Sequence, residues 1–199
     1  IAAASPTESG DYWVTVTVNG CTSEADTTTA MIFPIPAAPT AGSNTPLCEG
    51  DTLTLNASSG AGATFNWTGP DGFVDTLPNT GVDGVSLANG GDYFVTATIN
   101  GCESAPTLVN VVVNGTPVIS SVGSNSPVCE GDDLNLTASS SPGASYNWSG
   151  PNSFSSTNQN PTISPVTLAA TGQYSVYAIE NGCQSPVSYT HLTLPTSYP

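Results

Sequence analysis

The feature that most constrains this chain is a sequence repeat with a period of about 81 residues, which indicates one folded unit copied in tandem. Trp67 recurs as Trp148, and Cys48 recurs as Cys129. Longer words recur at the same spacing, namely SGDYWVTVTVNGC, GGDYFVTATINGC and TGQYSVYAIENGC, and ahead of the last two stand TPLCEGDTLTLNASS and SPVCEGDDLNLTASS. We therefore expect a stretch of a modular rod.

The repeat divides the chain into four predicted segments. Residues 1–35 hold only the C-terminal strands of a unit, because they lack the CEGD strand and its Trp. Residues 36–116 and 117–187 each form a unit with both halves, and residues 188–199 depart from the pattern. We expect the sequence to be a piece of a longer protein.

The charge balance excludes two classes of partner. The chain has no Lys or Arg against 15 Asp and Glu, which gives a formal net charge of −15. Nucleic-acid affinity depends on Lys and Arg that neutralise phosphates, and anionic lipid surfaces attract the same basic residues. A membrane-spanning helix needs about 20 consecutive apolar residues, and the sequence contains no such run. We expect no nucleic-acid partner and no membrane insertion.

Apolar residues alternate with polar ones, which is typical of half-buried strands. In DYFVTATIN, Tyr93, Val95, Ala97 and Ile99 share one face, and the residues between them share the other. Asn100-Gly101 is a hairpin-turn signal, and Val109, Val111 and Val113 are predicted to form the return strand. About seven short strands per repeat predict an all-β Greek-key sandwich. Its predicted core aromatic residues are Trp67, Trp148, Tyr12, Tyr93 and Tyr174.

Several of these words carry a family resemblance. EGDTLTLNA resembles the second strand of an immunoglobulin domain, FNW resembles the third strand with its core Trp, and GGDYFV resembles the tyrosine corner. The set CEGD, WxGPxxF and GxYxVxxxxNGCxS resembles the Ig-like and PKD-like repeats of large secreted or cell-surface proteins of Bacteroidota, of the type associated with type IX secretion and gliding motility. The resemblance implies tandem immunoglobulin-like β-sandwiches in an extracellular, adhesin-like protein.

The end of the chain resembles something different. SYTHLTLPT is similar to translated sequencing-adaptor read-through, in which case His191 and about the last ten residues are foreign to the protein. The alternative is a diverged final strand, because VSYTHLTL keeps the alternation.

The cysteines do not follow the usual immunoglobulin pattern. That pattern bridges the second and sixth strands, at positions that here hold Ala57 and Val95. In the immunoglobulin topology Cys48 and Cys102 lie toward opposite ends of a unit, more than ~25 Å apart at ~3.3 Å per residue. A disulfide requires Cα atoms within about 7 Å.

Stacked units offer a solution that joins different repeats. We favour a bond between Cys48 and Cys183. The alternative, Cys48–Cys102 together with Cys129–Cys183, stays open in case the topology differs. Either pattern indicates an oxidising, extracellular setting, and no Cys/His spacing suggests a zinc site.

Carboxylates recur around the CEGD and GDY words. Oxygen-rich sites can hold Ca²⁺, but Gln173 replaces the aspartate of the last GDY copy, and EGD has a plain role in turn formation before a strand. We expect no metal or other cofactor and retain calcium as the weaker alternative. Its candidate ligands are Glu49, Asp51, Asp92, Glu130 and Asp132.

Catalysis has no support in the sequence, because the single His lies in the divergent tail and Ser is merely abundant. We predict that the chain is not an enzyme but a structural spacer whose partners are neighbouring repeats. Trp13 and Phe94 alternate out of the core and favour an alternative, a module that binds carbohydrate or a surface ligand such as extracellular glycans or surface proteins. An accessory region of an exported hydrolase is the second alternative.

Overall fold

The structure is a computed structural model, and it describes residues 3–193 of the 199-residue chain. Within these residues the fold is all-β, and four short 3-10 helices interrupt the strands: Pro6–Glu8, Pro70–Gly72, Leu87–Asn89 and Leu168–Ala170. The strands before residue 36 are β1 (Gly10–Val14), β2 (Thr17–Val18), β3 (Cys21–Thr22) and β4 (Asp26–Ala30).

The strands of the next repeat are β5 (Thr40–Ser43), β6 (Leu47–Cys48), β7 (Leu53–Ser58), β8 (Thr64–Thr68), β9 (Val74–Asp75), β10 (Asn79–Val82), β11 (Gly91–Ile99), β12 (Cys102–Glu103), β13 (Thr107–Val111) and β14 (Val113–Asn114). The last strands are β15 (Ser121–Ser124), β16 (Leu134–Ser139), β17 (Ser145–Gly150), β18 (Phe154–Ser156), β19 (Thr162–Ile163), β20 (Gly172–Glu180), β21 (Cys183–Gln184) and β22 (Ser188–Leu192).

The chain folds into two compact units. The first comprises residues up to Asn44 with Leu53–Val82 and Ala88–Val111. The second comprises Thr45–Thr52, Asp83–Leu87 and the described residues from Val112 onward. The CEGD turn of residues 48–51 therefore groups with the second unit, although the sequence repeat assigns it to 36–116. The segment boundaries taken from the repeat stay predictions.

The first unit holds a two-sheet sandwich. One sheet has the strand order β10-β7-β5, and the other has the order β9-β8-β11-β12, with β13 also paired to β11. All these pairs are antiparallel. This arrangement is that of an immunoglobulin-like fold, so the predicted fold class is confirmed.

The predicted alternation accounts for the core of this unit. Every second residue of β7 is buried, as are Tyr93, Val95 and Ala97 in β11, and Ile99 at the end of the same face is half-buried. Ala57 and Val95, the positions of the usual immunoglobulin disulfide, are among these buried residues. The Asn100-Gly101 turn has positive φ at both positions, as predicted. One detail differs, because the return strand ends at Val111 and Val113 begins β14, which pairs with β6 instead.

A tyrosine corner recurs at the start of β1, β11 and β20. The hydroxyl of Tyr93 donates to the Asn89 carbonyl at 2.9 Å, and that of Tyr174 donates to the Ala170 carbonyl at 2.9 Å. In each case the acceptor ends a 3-10 helix. Burial raises the pKa of both tyrosines, since a phenolate would lose its hydration.

Residues of the WxGPxxF motif pack against the tyrosine ring of this corner. Phe73 packs edge-on against Tyr93 with ring centroids 5.3 Å apart, and Phe154 packs likewise against Tyr174 at 5.6 Å. A Cβ atom added at Gly69 or Gly150 would overlap the tyrosine ring. Glycine is therefore required where the ring lies directly on the backbone.

The prediction that Tyr12 is a core residue is wrong for this chain. Its hydroxyl makes the same corner bond, to the Glu8 carbonyl at 2.7 Å, but the residue is 39% exposed. Residues before 36 form the β1–β4 and β2–β3 pairs. They contain no counterpart of β7 and β8 to cover the tyrosine face. Alternation identified the face correctly, but the opposing strands are absent from the sequence.

The second unit repeats the sandwich. Its sheets have the orders β15-β16-β19 and β18-β17-β20-β21, with β22 paired to β20. Trp148, Tyr174, Leu134, Leu136 and Val176 belong to one buried cluster. This unit also contains β6 and β14, which pair in parallel.

The divergent tail supplies the last strand of this sandwich. Gly172 pairs with Leu192, and Gly91 pairs with Val111 one repeat earlier, so β22 keeps the register of β13. Leu192 is fully buried. The rest of the predicted aberrant segment, residues 194–199, lies outside the described residues. No helix between residues 3 and 193 is long and apolar enough to cross a membrane.

Candidate functional site

The candidate site is a cysteine turn next to the β6–β14 pair. Leu47 pairs with Val113 and Cys48 with Asn114. The amide of Leu47 donates to the Val112 carbonyl at 3.0 Å, and the amide of Glu49 donates to the Asn114 carbonyl at 2.9 Å. The cysteine is thus held on a short strand whose backbone groups are paired.

The Glu-Gly-Asp residues after Cys48 close a tight turn. The Asp51 carboxylate accepts a hydrogen bond from the Cys48 amide at 2.8 Å, and the Asp51 amide donates back to the Cys48 carbonyl at 3.0 Å. Gly50 has a φ of +93°, which favours glycine, and its amide donates to the Val85 carbonyl at 2.8 Å. Three hydrogen bonds therefore hold the turn that follows Cys48.

Cys48 is bonded to Cys183, 135 residues later in the chain. Their Cα atoms lie 5.6 Å apart, and Cys183 is fully buried. The Cys183 Sγ lies 3.9 Å from the Asn114 carbonyl oxygen, and the side-chain amide of Asn114 donates to the Asn181 carbonyl at 3.4 Å. The bond joins the CEGD turn of one repeat to the NGC turn of the next, which is the pairing that the sequence favoured.

The remaining cysteines are free in the structure. Cys21 and Cys129 are exposed, and Cys102 is half-buried. The alternative pairs Cys48–Cys102 and Cys129–Cys183 are therefore not formed. Cys48 and Cys102 belong to different compact units, and Cys183 is already bonded to Cys48.

A serine two residues after each NGC cysteine supports the site, and the sequence reasoning did not assign it a role. The Ser185 hydroxyl accepts from the Ala178 amide at 2.9 Å and donates to the Pro186 carbonyl at 2.9 Å. The Ser185 amide donates to the Ala178 carbonyl at 2.8 Å. In the first unit, Ser104 makes the equivalent hydrogen bonds to the Ala97 amide and carbonyl and to the Ala105 carbonyl. The recurrence of NGCxS at the repeat period was the available signal.

The hydroxyls of these serines replace a backbone hydrogen bond between strands at the point where the long strand changes its pairing partner. β20 pairs with β21 near its end and with β22 near its start. A side-chain oxygen bridges the gap and keeps a buried amide paired, and Ser185 is only 2% exposed. The serine therefore holds the cysteine strand β21 against the sheet.

The carboxylates proposed for calcium are not brought together. Among residues 3–193, no group of three or more His, Cys, Asp or Glu could hold a metal ion. Asp51 and Asp132 each bond the amide of their own turn cysteine, and Asp92 accepts from the Asn110 side chain across the strands at 2.7 Å. Glu49 and Glu130 follow the turn cysteines. The aspartates thus serve local backbone and cross-strand bonds, and the calcium alternative is dropped.

One half-buried carboxylate away from this site has a shifted pKa. The pKa of Asp75 is lowered, first by the hydrogen bond from the Thr80 hydroxyl and then by the amides of Leu77 and Thr76. These bonds favour the charged form. They close the loop between β9 and β10.

The two aromatic residues predicted to leave the core do so. Trp13 is 72% exposed and Phe94 is 42% exposed. Trp13 lies opposite Thr27 on the β1–β4 pair, and a shallow pocket of about 240 Å³ is lined by Tyr12, Trp13, Val14, Asp26, Thr27 and Thr28. At the equivalent position in the second unit, Ser175 instead hydrogen-bonds Ser149 at 2.7 Å.

Comparisons with known proteins agree with this architecture. Residues 36–115 match the model of a family described as "Ig-like domain CHU_C associated". The match covers 80 of the 199 residues. No curated protein sequence matches the chain.

Solved structures with similar folds are arrays of immunoglobulin domains. The chain is similar to the N-terminal eight Ig domains of Down Syndrome Cell Adhesion Molecule, with a TM-score of 0.59, 15% identity and 94% of this chain covered. It spans about a third of the length of that structure, 31%. It is also similar to the structure of domains A168–A170 from titin, at a TM-score of 0.47 and 17% identity over 98% of this chain and 78% of that three-domain chain. At such identities only the fold is shared.

Proposed function

We propose that this chain is a stretch of spacer repeats in a large extracellular, adhesin-like surface protein, and that successive repeats are cross-linked by disulfides. The observation that carries the proposal is the Cys48–Cys183 bond. It closes a loop of 135 residues that begins in one repeat and ends in the next. A spacer bears tension along the chain. A disulfide that closes a loop of this size prevents tension from extending the residues inside the loop, so the unfolded chain stays shorter.

Thermodynamics supports the same role. Closing a loop of this length lowers the entropy of the unfolded chain, and the chain-entropy model gives ~4–5 kcal/mol of stabilisation. The sequence offers no Lys or Arg for surface ion pairs with its 15 carboxylates. Covalent links and β-packing are therefore the main sources of stability, and a disulfide indicates an oxidising compartment outside the cytosol.

Single-molecule stretching between the chain termini tests the proposal. The 135-residue separation corresponds to ~450–490 Å of extended chain at ~3.3–3.6 Å per residue. We expect the oxidised, fully unfolded chain to lengthen by that amount when a reductant is added. The double variant Cys48→Ser/Cys183→Ser should reach the long state without reductant. An oxidised wild-type chain as long as the double variant would refute the cross-link.

A second candidate function uses the exposed aromatic residues. The Trp13 side chain beside its shallow pocket is of a kind that stacks on neutral sugar rings, and the negative charge of the chain disfavours acidic glycans. A glycan array probed with wild type and Trp13→Ala tests it. Binding lost in the variant would support a carbohydrate module, and a blank array for the wild type would eliminate it.

The finer assignments stay predictions. They are the type IX secretion and gliding-motility association, the accessory role beside an exported hydrolase, and the expectation that the chain is not an enzyme. Partners within a longer array would be neighbouring repeats of the same protein.

A further inference from the structure

We propose that Cys129 and Cys102 are the two open halves of the same joint, so that Cys129 of one copy of this chain bonds to Cys102 of a second copy, head to tail. The proposal rests on the proposed function, because it takes the Cys48–Cys183 joint as its template. The partner is a second copy of the chain, and by the same chemistry a further repeat of a longer array.

Cys129 has the environment of Cys48. Its amide donates to the Asp132 carboxylate at 3.2 Å, and the Asp132 amide donates to the Cys129 carbonyl at 3.1 Å. The Gly131 amide donates to the Val166 carbonyl at 2.8 Å, and the Val166 amide donates to the Asp132 carbonyl at 2.9 Å. These four bonds recur from the Cys48 turn with an offset of one repeat period. The thiol is exposed, so the turn is formed and its bond is not.

Cys102 has the environment of Cys183. Its Sγ lies 3.8 Å from the Phe33 carbonyl oxygen, as that of Cys183 lies 3.9 Å from the Asn114 carbonyl oxygen. Phe33 and Asn114 are one repeat period apart. Cys102 pairs with Ile99 in the hairpin register in which Cys183 pairs with Glu180.

No counterpart of strand β6 lies beside Cys102 in the described residues. In the formed joint, Asn114 belongs to β14 and pairs with the cysteine strand β6. Its repeat equivalent, Phe33, lies in no strand of the described chain. The neighbouring apolar side chains Met31 and Ile35 are exposed. A cysteine strand from a second copy would fill this position.

Cys21 supplies an internal control. It is a third NGC cysteine and is also exposed, and it pairs with Val18 in the same hairpin register. The position equivalent to Phe33 would lie 69 residues before Cys21 and is not part of the given sequence, so Cys21 serves as the comparison thiol. A specific joint therefore discriminates Cys102 from Cys21, whereas indiscriminate thiol oxidation does not.

The bond forms by two thiol–disulfide exchanges with a low-molecular-weight disulfide, for example oxidised glutathione. The Cys129 thiolate attacks one glutathione sulfur and releases one glutathione thiol. The Cys102 thiolate of the second copy then attacks the Cys129 sulfur and releases the other. Two cysteine thiols are oxidised, one glutathione disulfide is reduced, and the two cysteine protons end on the two glutathione thiols.

Three double variants test the proposal, all retaining Cys48 and Cys183. The first keeps Cys129 (Cys21→Ser/Cys102→Ser), the second keeps Cys102 (Cys21→Ser/Cys129→Ser), and the third keeps Cys21 (Cys102→Ser/Cys129→Ser). The first is mixed with either the second or the third in a glutathione redox buffer at about 0.15 M salt, where repulsion between the acidic copies is screened within about 8 Å. Dimers are quantified by non-reducing electrophoresis and mass spectrometry.

We expect the Cys129–Cys102 heterodimer to exceed the Cys129–Cys21 heterodimer about tenfold, a preference of ~1.4 kcal/mol. It should also exceed the statistical level of twice either homodimer. Equal amounts of the two heterodimers overturn this inference alone if peptide mapping finds the bond between Cys48 and Cys183 intact. Absence of that bond from all three variants overturns the proposed function and this inference together.

Discussion

Truncation of Trp148 probes the core of the second unit most directly. The side chain is 1% exposed and belongs to the buried cluster with Leu134, Leu136 and Tyr174. Its indole N–H donates to the Gln159 carbonyl at 3.2 Å. Removing a buried Trp to Ala costs about 3–5 kcal/mol. The lost hydrogen bond contributes about 0.5–1.5 kcal/mol within that sum.

A loss of that size is large for a small sandwich. Domains of this kind have total stabilities of about 5–15 kcal/mol, and about 1 kcal/mol shifts the melting temperature of a domain of roughly 60–100 residues by about 4–8 °C. We therefore expect Trp148→Ala to lower the melting transition of the second unit by about 12–40 °C in differential scanning calorimetry. Trp148→Phe keeps most of the apolar volume and should give a smaller shift.

Trp13→Ala is the matched control, because this residue is 72% exposed and such surface changes fall within about ±0.5 kcal/mol. An unchanged melting profile for Trp148→Ala, or shifts of equal size in Trp148→Ala and Trp13→Ala, would refute the assignment of Trp148 to the core.

Three further predictions concern the second unit. Gly150→Ala should destabilise by about 1–3 kcal/mol, because the methyl group overlaps the Tyr174 ring, and Gly123→Ala, whose Cβ has ordinary space, should change the urea midpoint little. Burial raises the pKa of Tyr174 above its unfolded value near 10.0, so its contribution to the free energy of unfolding is complete below about pH 10 and is lost as pH rises through the folded pKa. If the free energy of unfolding of Tyr174→Phe falls with pH as steeply as that of the wild type, this prediction is contradicted. Leu192→Ala should cost about 2–5 kcal/mol and the exposed Tyr189→Ala much less, whereas a tail that contributes nothing to the fold would leave both melts at the wild-type value.

The sequence predicted the sheets because their burial alternates with a period of two. Leu53 and Leu55 in β7 and Tyr93 and Val95 in β11 are buried where the pattern put them. The tyrosine corner was also readable, since GDY precedes the same hydroxyl-to-carbonyl bond in the first two copies and GQY does so in the third. Local patterns of this kind report which face of a strand is apolar.

Other features depended on which residues pack or pair opposite a given side chain, and the alternation of apolar and polar residues does not contain that information. Tyr12 has the core signature but no covering sheet, so it is exposed. Asp51 and Asp92 looked like shared ligands because both recur, yet each is occupied by its own hydrogen bond. Ser185 acts only where the partner of β20 changes from β21 to β22, and no alternation marks that change.

The cross-link between repeats is the central claim, and non-reducing peptide mapping of the intact chain tests it most directly. Trypsin has no Lys or Arg to cleave, so a protease directed at Asp and Glu is required, with free thiols alkylated beforehand. From the monomer fraction we predict one linked peptide pair, Cys48 with Cys183, that disappears on reduction, and alkylated thiols at Cys21, Cys102 and Cys129. A linked peptide pair of Cys48 with Cys102, or of Cys129 with Cys183, would contradict both the cross-link and the proposed function.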